Sequence, residues 1–244
     1  MIALRVNQFK IWLQRHPNPR FRRFFLLLKQ IRSSEIPTPK WFNRTVYYTY
    51  QIISTLWGGI CRLLIHTPAF KGRLLRHGKK LYVYGGVPLV SGPLSISIGN
   101  DCRISGQTTF SGRSASHSPQ LIIGNNVGIG WQTTIAVGRR VIIEDNVRIA
   151  GKGFLFGYSG HPLDAERRAL GQPDDESQVG DIILEKDVWL GSNVCVKGGV
   201  TIGTGTVVAA GSVVTRSLPP LVIAAGNPAE IIRSIEPSLA SKGA

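Results

Sequence analysis

Acidic residues are nearly missing from the first third of this chain: over residues 1–80, Glu35 is the one carboxylate against 16 lysines and arginines. The rest of the chain balances its charges, so the net +15 belongs to the N-terminal segment. That charge suits a polyanion, but no nucleic-acid-binding motif or ordered stacking platform accompanies it, so no nucleic-acid partner is expected. Cysteine is scarce: Cys61, Cys102 and Cys195 are odd in number, far apart and form no CxxC, which argues against a disulfide framework or a zinc knuckle and for a reducing, cytoplasmic setting. Long apolar runs are missing too. Within the basic segment the uncharged stretch Val46 to Cys61 is shorter than the ~20 residues of a spanning helix and carries Thr49, Gln51, Ser54 and Thr55. Arg5, Lys10 and Arg15 interrupt the place where a secretory signal would sit.

What the chain has instead is a short period. Leu184, Leu190, Val196, Ile202, Val208 and Val214 fall six apart, and Val188, Val194, Val200, Thr206 and Ser212 each stand two residues before the last five of them. Residues two apart in a strand share a face, so each unit turns one larger and one smaller group inward. Such a unit cannot bury its own apolar face and must stack on its neighbours, which is the logic of a β-solenoid. The same interval joins Ile98 to Ile104, with Cys102 as inner partner. It is lost over Ser105–Gln120, an expected excursion holding a solvated His117. It then returns at Ile123, Ile129 and Ile135 and, after a two-residue slip fit for a bulged corner, at Ile143, Ile149 and Leu155. The next step of six lands on His161, within Gly157-Tyr-Ser-Gly-His-Pro162. The interval from there to Leu184 is not a multiple of six, so a polar loop from Pro162 to about Asp181 must leave the coils. A histidine at the root of such a loop is placed either as a base that meets a substrate or as an ordinary solvated side chain.

The expected architecture is mainly β: residues 1–86 form a basic, apolar helical extension, 87–226 the solenoid, and 227–244 a short C-terminal helix and tail. Phe21 to Ile31 and Tyr47 to Ile65 read as helices separated by Pro37 and Pro39. Their basic, aromatic faces suit peripheral contact with an anionic inner membrane face, or else packing on the solenoid or across an oligomer interface.

From about Ile98 to Ile235 the chain resembles the hexapeptide-repeat acyltransferases, and from 143 onward the maltose, galactoside and xenobiotic O-acetyltransferase group. The carrying residues are Gly160-His-Pro-Leu-Asp164, Asp187-Val-Trp-Leu-Gly191, Gly198-Gly-Val-Thr-Ile-Gly203, Ala210-Gly-Ser-Val-Val-Thr-Arg216, Pro219-Pro, and Ala225-Gly-Asn-Pro-Ala229. The resemblance implies a left-handed parallel β-helix, a homotrimer with coenzyme A grooves between subunits, acetyl-CoA as co-substrate and no metal. It implies that His161 is the general base and Trp189 the indole beside the active site. Ser192 and Ala210 would contact the pantetheine arm, with Thr215, Arg216 and Arg233 near the nucleotide end. Glu230 departs from the basic residue common in sugar acetyltransferases, and Gly130 and Gly138 replace acceptor-binding Asn and Asp of the galactoside type. The implied activity is O-acetylation of a sugar hydroxyl on a surface polysaccharide or lipid-linked glycan. N-acylation of an amino sugar and a non-enzymatic, membrane-associated scaffold are the alternatives.

Overall fold

The computed structural model describes residues 2–236. The chain divides into two units, residues 1–53 and 54–244. In the second unit, short strands rotate through three parallel sheets. The first sheet stacks Arg76–His77, Ser95–Ile98, Gln120–Ile123, Arg140–Ile143, Ile182–Leu184 and Val200–Ile202. The second runs from Tyr82–Tyr84 through Arg103–Ser105, Gly128–Ile129, Arg148–Ile149, Trp189–Leu190 and Val207–Val208 to Val222–Gly226, where Ala229–Ser234 pairs antiparallel. The third stacks Leu89–Ser91, Thr109–Gly112, Thr134–Val137, Phe154–Phe156, Cys195–Lys197 and Val213–Val214. Three sheets visited in turn make a parallel β-helix.

The six-residue period is the cause of this shape. Leu184, Leu190, Val196, Ile202, Val208 and Val214 are fully buried, and Val188, Val194, Thr206 and Ser212 fill the smaller inward positions. Each buried aliphatic side chain contributes about 1.5–3 kcal/mol over its exposed state. Corners need a left-handed residue, and Asn or Asp accepts that conformation more readily than most. Asn126, Asn146 and Asp187 stack at the corner between the first and second sheets with φ of 52°, 61° and 62°. Their side chains form a ladder, each amide donating to the next oxygen at 2.9 Å.

Three differences from the sequence reading have physical reasons. The period runs on through Thr108 and Phe110, both buried, so the excursion shrinks to the segment after Gly112; an aromatic in place of the aliphatic hid the step. Parallel pairing begins at Arg76, before the expected boundary at 87, because the first coils use two- and three-residue strands with polar flanks. Where a C-terminal helix was expected over 227–244, Ala229–Ser234 is a strand that closes the edge of the second sheet; residues 237–244 lie outside the described residues.

At the N-terminal end of the second unit a π-helical turn, Arg62–His66, leads into a short helix, Thr67–Lys71. It inserts Phe70, 1% exposed, against Phe110 with ring centroids 6.1 Å apart, and so covers the first coil.

In the first unit, α1 (Ile2–Arg15) and α2 (Pro19–Arg32) form a hairpin. Asn18 caps α2 by accepting from the Arg20 amide at 2.9 Å, and Pro19 opens it, a position that needs no backbone donor. Leu13 is buried, and Trp12 meets Phe21 edge-on at 5.2 Å. The long helix α3 (Lys40–Cys61) has no buried residue. Trp41, Tyr48, Tyr50, Ile53, Leu56 and Trp57 are all exposed along it. Among the described residues no helix is long and apolar enough to cross a membrane.

Candidate active site

The third-sheet strand Phe154–Phe156 ends at Gly157, and the chain leaves the coils there. His161 is exposed, between Gly160 at φ 80° and a buried Pro162. Its carbonyl accepts from the Ser159 hydroxyl at 2.9 Å, and Arg168 donates to the carbonyls of Pro162 and Leu163 at 3.0 and 2.9 Å. Asp164 caps a short helix, Ala165–Ala169, through the Arg167 amide. Arg167 then forks onto Asp175 at 2.8 and 3.2 Å. The charges of the loop are therefore used to fold it.

The returning half of the loop crosses earlier corners of the solenoid. Gly138 allows this crossing: a Cβ there would lie 2.6 Å from a Val179 methyl, so the acidic side chain of the galactoside-type pattern has no room. Gly130 is similarly constrained, with the Gly151 amide 2.6 Å from where its Cβ would stand. Arg140 holds Asp181 at 3.0 Å. Deeper, Arg113 donates through Nε to Asp174 at 2.7 Å and through its terminal nitrogens to the Asp174 carbonyl at 2.8 Å and Glu176 at 2.5 Å. Burial pushes the Asp174 carboxyl up, but the Arg113 guanidinium and the Gly160 amide outweigh it and hold the group below the ordinary carboxylate range. The sequence reading passed over Arg113 and gave Asp174 no role beyond membership of the polar loop from Pro162 to about Asp181. They stand 61 positions apart, each in a polar loop, and only the stacking of third-sheet corners brings them together.

The resulting groove is lined by Phe156, Tyr158, Ser159, Val179, Lys197 and Gly198. Lys197 stands beside Phe156 in the neighbouring coil, and the pairing of Val196 with Val214 puts Thr215 next in that column. Thr215 and Arg216 thus leave the solenoid at the same corner as the His161 loop, and both are exposed. The other expected residues lie elsewhere. Trp189, 54% exposed, points outward from the second sheet, and Ser192 and Ala210 follow at the corner between the second and third sheets, with the Gly211 amide bonded to the Ser192 carbonyl. Arg233, exposed, pairs with Ile223 on the closing strand, and Glu230 is exposed on the same strand. Sequence reasoning missed Trp131, 50% exposed, whose ring contacts Gly151 and has the Lys152 ammonium 5.7 Å from its centroid. It lies at the corner of Ser192, and an outward aromatic beside it was the available signal. Among the described residues no group of three His, Cys, Asp or Glu converges as a metal site would need.

Residues 181–216 match the family model described as bacterial transferase hexapeptide, six repeats. The match lies within the last coils of the solenoid, where the six-residue repeat is most regular. A galactoside O-acetyltransferase of Escherichia coli is 40% identical over 120 residues, 49% of this chain and 57% of the relative. A candidate acetyltransferase of Saccharomyces cerevisiae is 39% identical over 119 residues, 49% of this chain and 58% of its own. The chain therefore spans less than two thirds of these relatives' length. Among solved structures, a single-residue variant of the Bacillus cereus N-acyltransferase AntD, in complex with dTDP-4-amino-4,6-dideoxyglucose and coenzyme A, is 25% identical. The likeness has a TM-score of 0.58 and covers 70% of this chain and 89% of that one.

Proposed function

We propose that the protein transfers an acetyl group from acetyl-CoA to a sugar hydroxyl, with His161 as the general base. The observation that carries this reading is the exposed His161 at the root of a cross-linked loop, two residues after Ser159, which lines a groove together with Lys197; Thr215 and Arg216 leave the solenoid in the next coil beyond Lys197. An alcohol is a poor nucleophile at its own pKa, so an imidazole within hydrogen-bonding reach supplies what the reaction lacks. Acetyl-CoA would bring the acetyl group as an activated thioester. His161 takes the hydroxyl proton as the oxygen bonds to the acetyl carbon, and returns it to the sulfur as the carbon–sulfur bond breaks. The cations at Lys197, Arg216 and Arg233 suit the phosphates of the nucleotide end.

Trp189, Ser192 and Ala210 lie on the second sheet and its far corner, across the third sheet from the His161 loop. This separation supports a homotrimer in which one subunit offers the loop and its neighbour the indole and the Ser192 corner. The exposed aromatic residues of α3 and the cations of residues 1–80 support an acceptor carried on a lipid or at an anionic membrane face.

The test measures coenzyme A release by the intact protein and by His161→Ala on p-nitrophenyl glycosides and on isolated surface glycans. Turnover should fall by roughly two to four orders of magnitude, with the oligomer and coenzyme A binding unchanged. Equal turnover removes His161 from the mechanism. The likeness to an N-acyltransferase fold favours one second reading, transfer to an amino sugar. Alkaline hydroxylamine separates the two, because it cleaves an acetyl ester and spares an amide.

A further inference from the structure

Asp174 is a carboxylate 6% exposed, and one of its oxygens serves the segment that carries His161. Oδ1 accepts from Nε of Arg113, which is itself 3% exposed. Oδ2 accepts from the Gly160 amide at 3.1 Å and lies 3.5 Å from the Ser159 hydroxyl, whose better partner is the His161 carbonyl. The peptide group that precedes Gly160 and the one that follows His161 are therefore both tied, which brackets the two residues. The Gly160 amide is tied to Asp174, and the His161 carbonyl is tied to Ser159 beside it. Arg113 belongs to the solenoid, directly after Thr109–Gly112, and its amide bonds to the Val137 carbonyl of the adjacent coil. It is the rigid end of the chain of bonds.

Resting on the reading of His161 as base, we propose that Arg113 and Asp174 are positioning residues that hold the imidazole of His161 at the distance the transfer needs. Neither touches the groove where the substrates would meet, since both are enclosed between the loop and the third-sheet corner. Their effect is exerted through the backbone of Gly160 and His161. A reacting group displaced by about 1 Å loses on the order of a hundredfold in rate. A loop held only at its ends would sample such displacements continually. Guanidinium geometry explains the choice of Arg113: its fork satisfies the carboxylate, the Asp174 carbonyl and Glu176 at once, which a lysine ammonium cannot do in a fixed plane.

The experiment pairs amide hydrogen exchange with kinetics on the full chain. In Asp174→Asn, exchange of residues 157–163 should quicken at least tenfold while the buried coils around Leu155 and Val196 keep their protection. On p-nitrophenyl glycosides, kcat should fall 10- to 100-fold with the KM for acetyl-CoA within about twofold. The double variant Asp174→Asn/His161→Ala should be no slower than His161→Ala alone, because position matters only while the imidazole is present. Ser159→Ala, an exposed change that leaves the buried pair whole, should show the same pattern at three- to tenfold. Unchanged exchange in 157–163 in both Asp174→Asn and Ser159→Ala overturns the proposal, as does a loss that adds fully to that of His161→Ala. Full activity in His161→Ala instead removes the base itself, and the exchange result still decides whether Asp174 anchors the segment.

Discussion

Two parts of this chain use apolar residues in opposite ways. From Val83 to Ala224, the periodic residues turn inward and disappear from solvent; in α3, equally apolar residues such as Ile53, Leu56 and Trp57 stay outside. Composition does not separate the two, but period does. A strand repeat of six closes on itself and buries its own aliphatics once coils stack, whereas a helix that is apolar on several sides has no face left over to solvate. The solenoid accordingly buries its own apolar groups, whereas α3 leaves its apolar groups exposed.

The sharpest way to break this contrast is to delete matching side chains in the two parts. Phe70→Ala, at the buried end of the solenoid, should cost about 3–5 kcal/mol, and Leu155→Ala about 2–5 kcal/mol. Phe42→Ala and Ile53→Ala in α3 should stay within about 0.5 kcal/mol. Denaturant titration of the four variants checks this, and equal losses would mean that α3 is part of a packed core. Next in size is membrane contact. A chain beginning at Ser54 keeps Phe70 and the first coil, whereas one beginning at Tyr82 discards both. The former should remain folded yet lose binding to anionic vesicles by at least a hundredfold, as each basic residue near such a surface contributes about 1 kcal/mol. Retained co-sedimentation would move the contact to the solenoid. A smaller effect concerns salt: Arg216→Ala with Arg233→Ala should weaken coenzyme A more than its 3′-dephosphorylated analogue, and added salt should narrow the gap. Equal weakening would place the 3′-phosphate elsewhere.

The smallest effect should appear in acid. Because the folded state lowers the Asp174 pKa, the stability its carboxylate contributes is present above the unfolded value of about 3.9 and is lost as pH falls through the folded one. Proteolysis within 162–178 should therefore increase below that range and be flat from neutral pH down to about pH 5. The coils, whose core is apolar, should not follow. Release at neutral pH would contradict the ion pair.

The same contrast explains what was legible in the sequence. Leu155 and Val208 announce their burial because neighbours six away repeat their chemistry, and His161 stands out where that count fails. Phe110 holds the same inward place but was passed over, because an aromatic breaks the pattern a reader follows. Arg113 and Asp174 carry no local signal at all: nothing near either distinguishes a buried charge from a solvated one. The closing strand Ala229–Ser234 fell within the stretch expected as a short helix and tail, yet its backbone pairs with Val222–Gly226, a long-range contact that no local pattern announces.

The two ends of the solenoid have a further consequence. Parallel coils with bare rims would accept another molecule's coils in the same sense and grow into fibres, since every rim strand presents unpaired amides and carbonyls. Here Phe70 stoppers the leading rim, and Ala229–Ser234 reverses direction on the trailing edge of the second sheet, offering the wrong polarity for another parallel coil. The molecule is thus a template interrupted at its leading core and at one trailing edge, the two places described here where a further coil would have to dock.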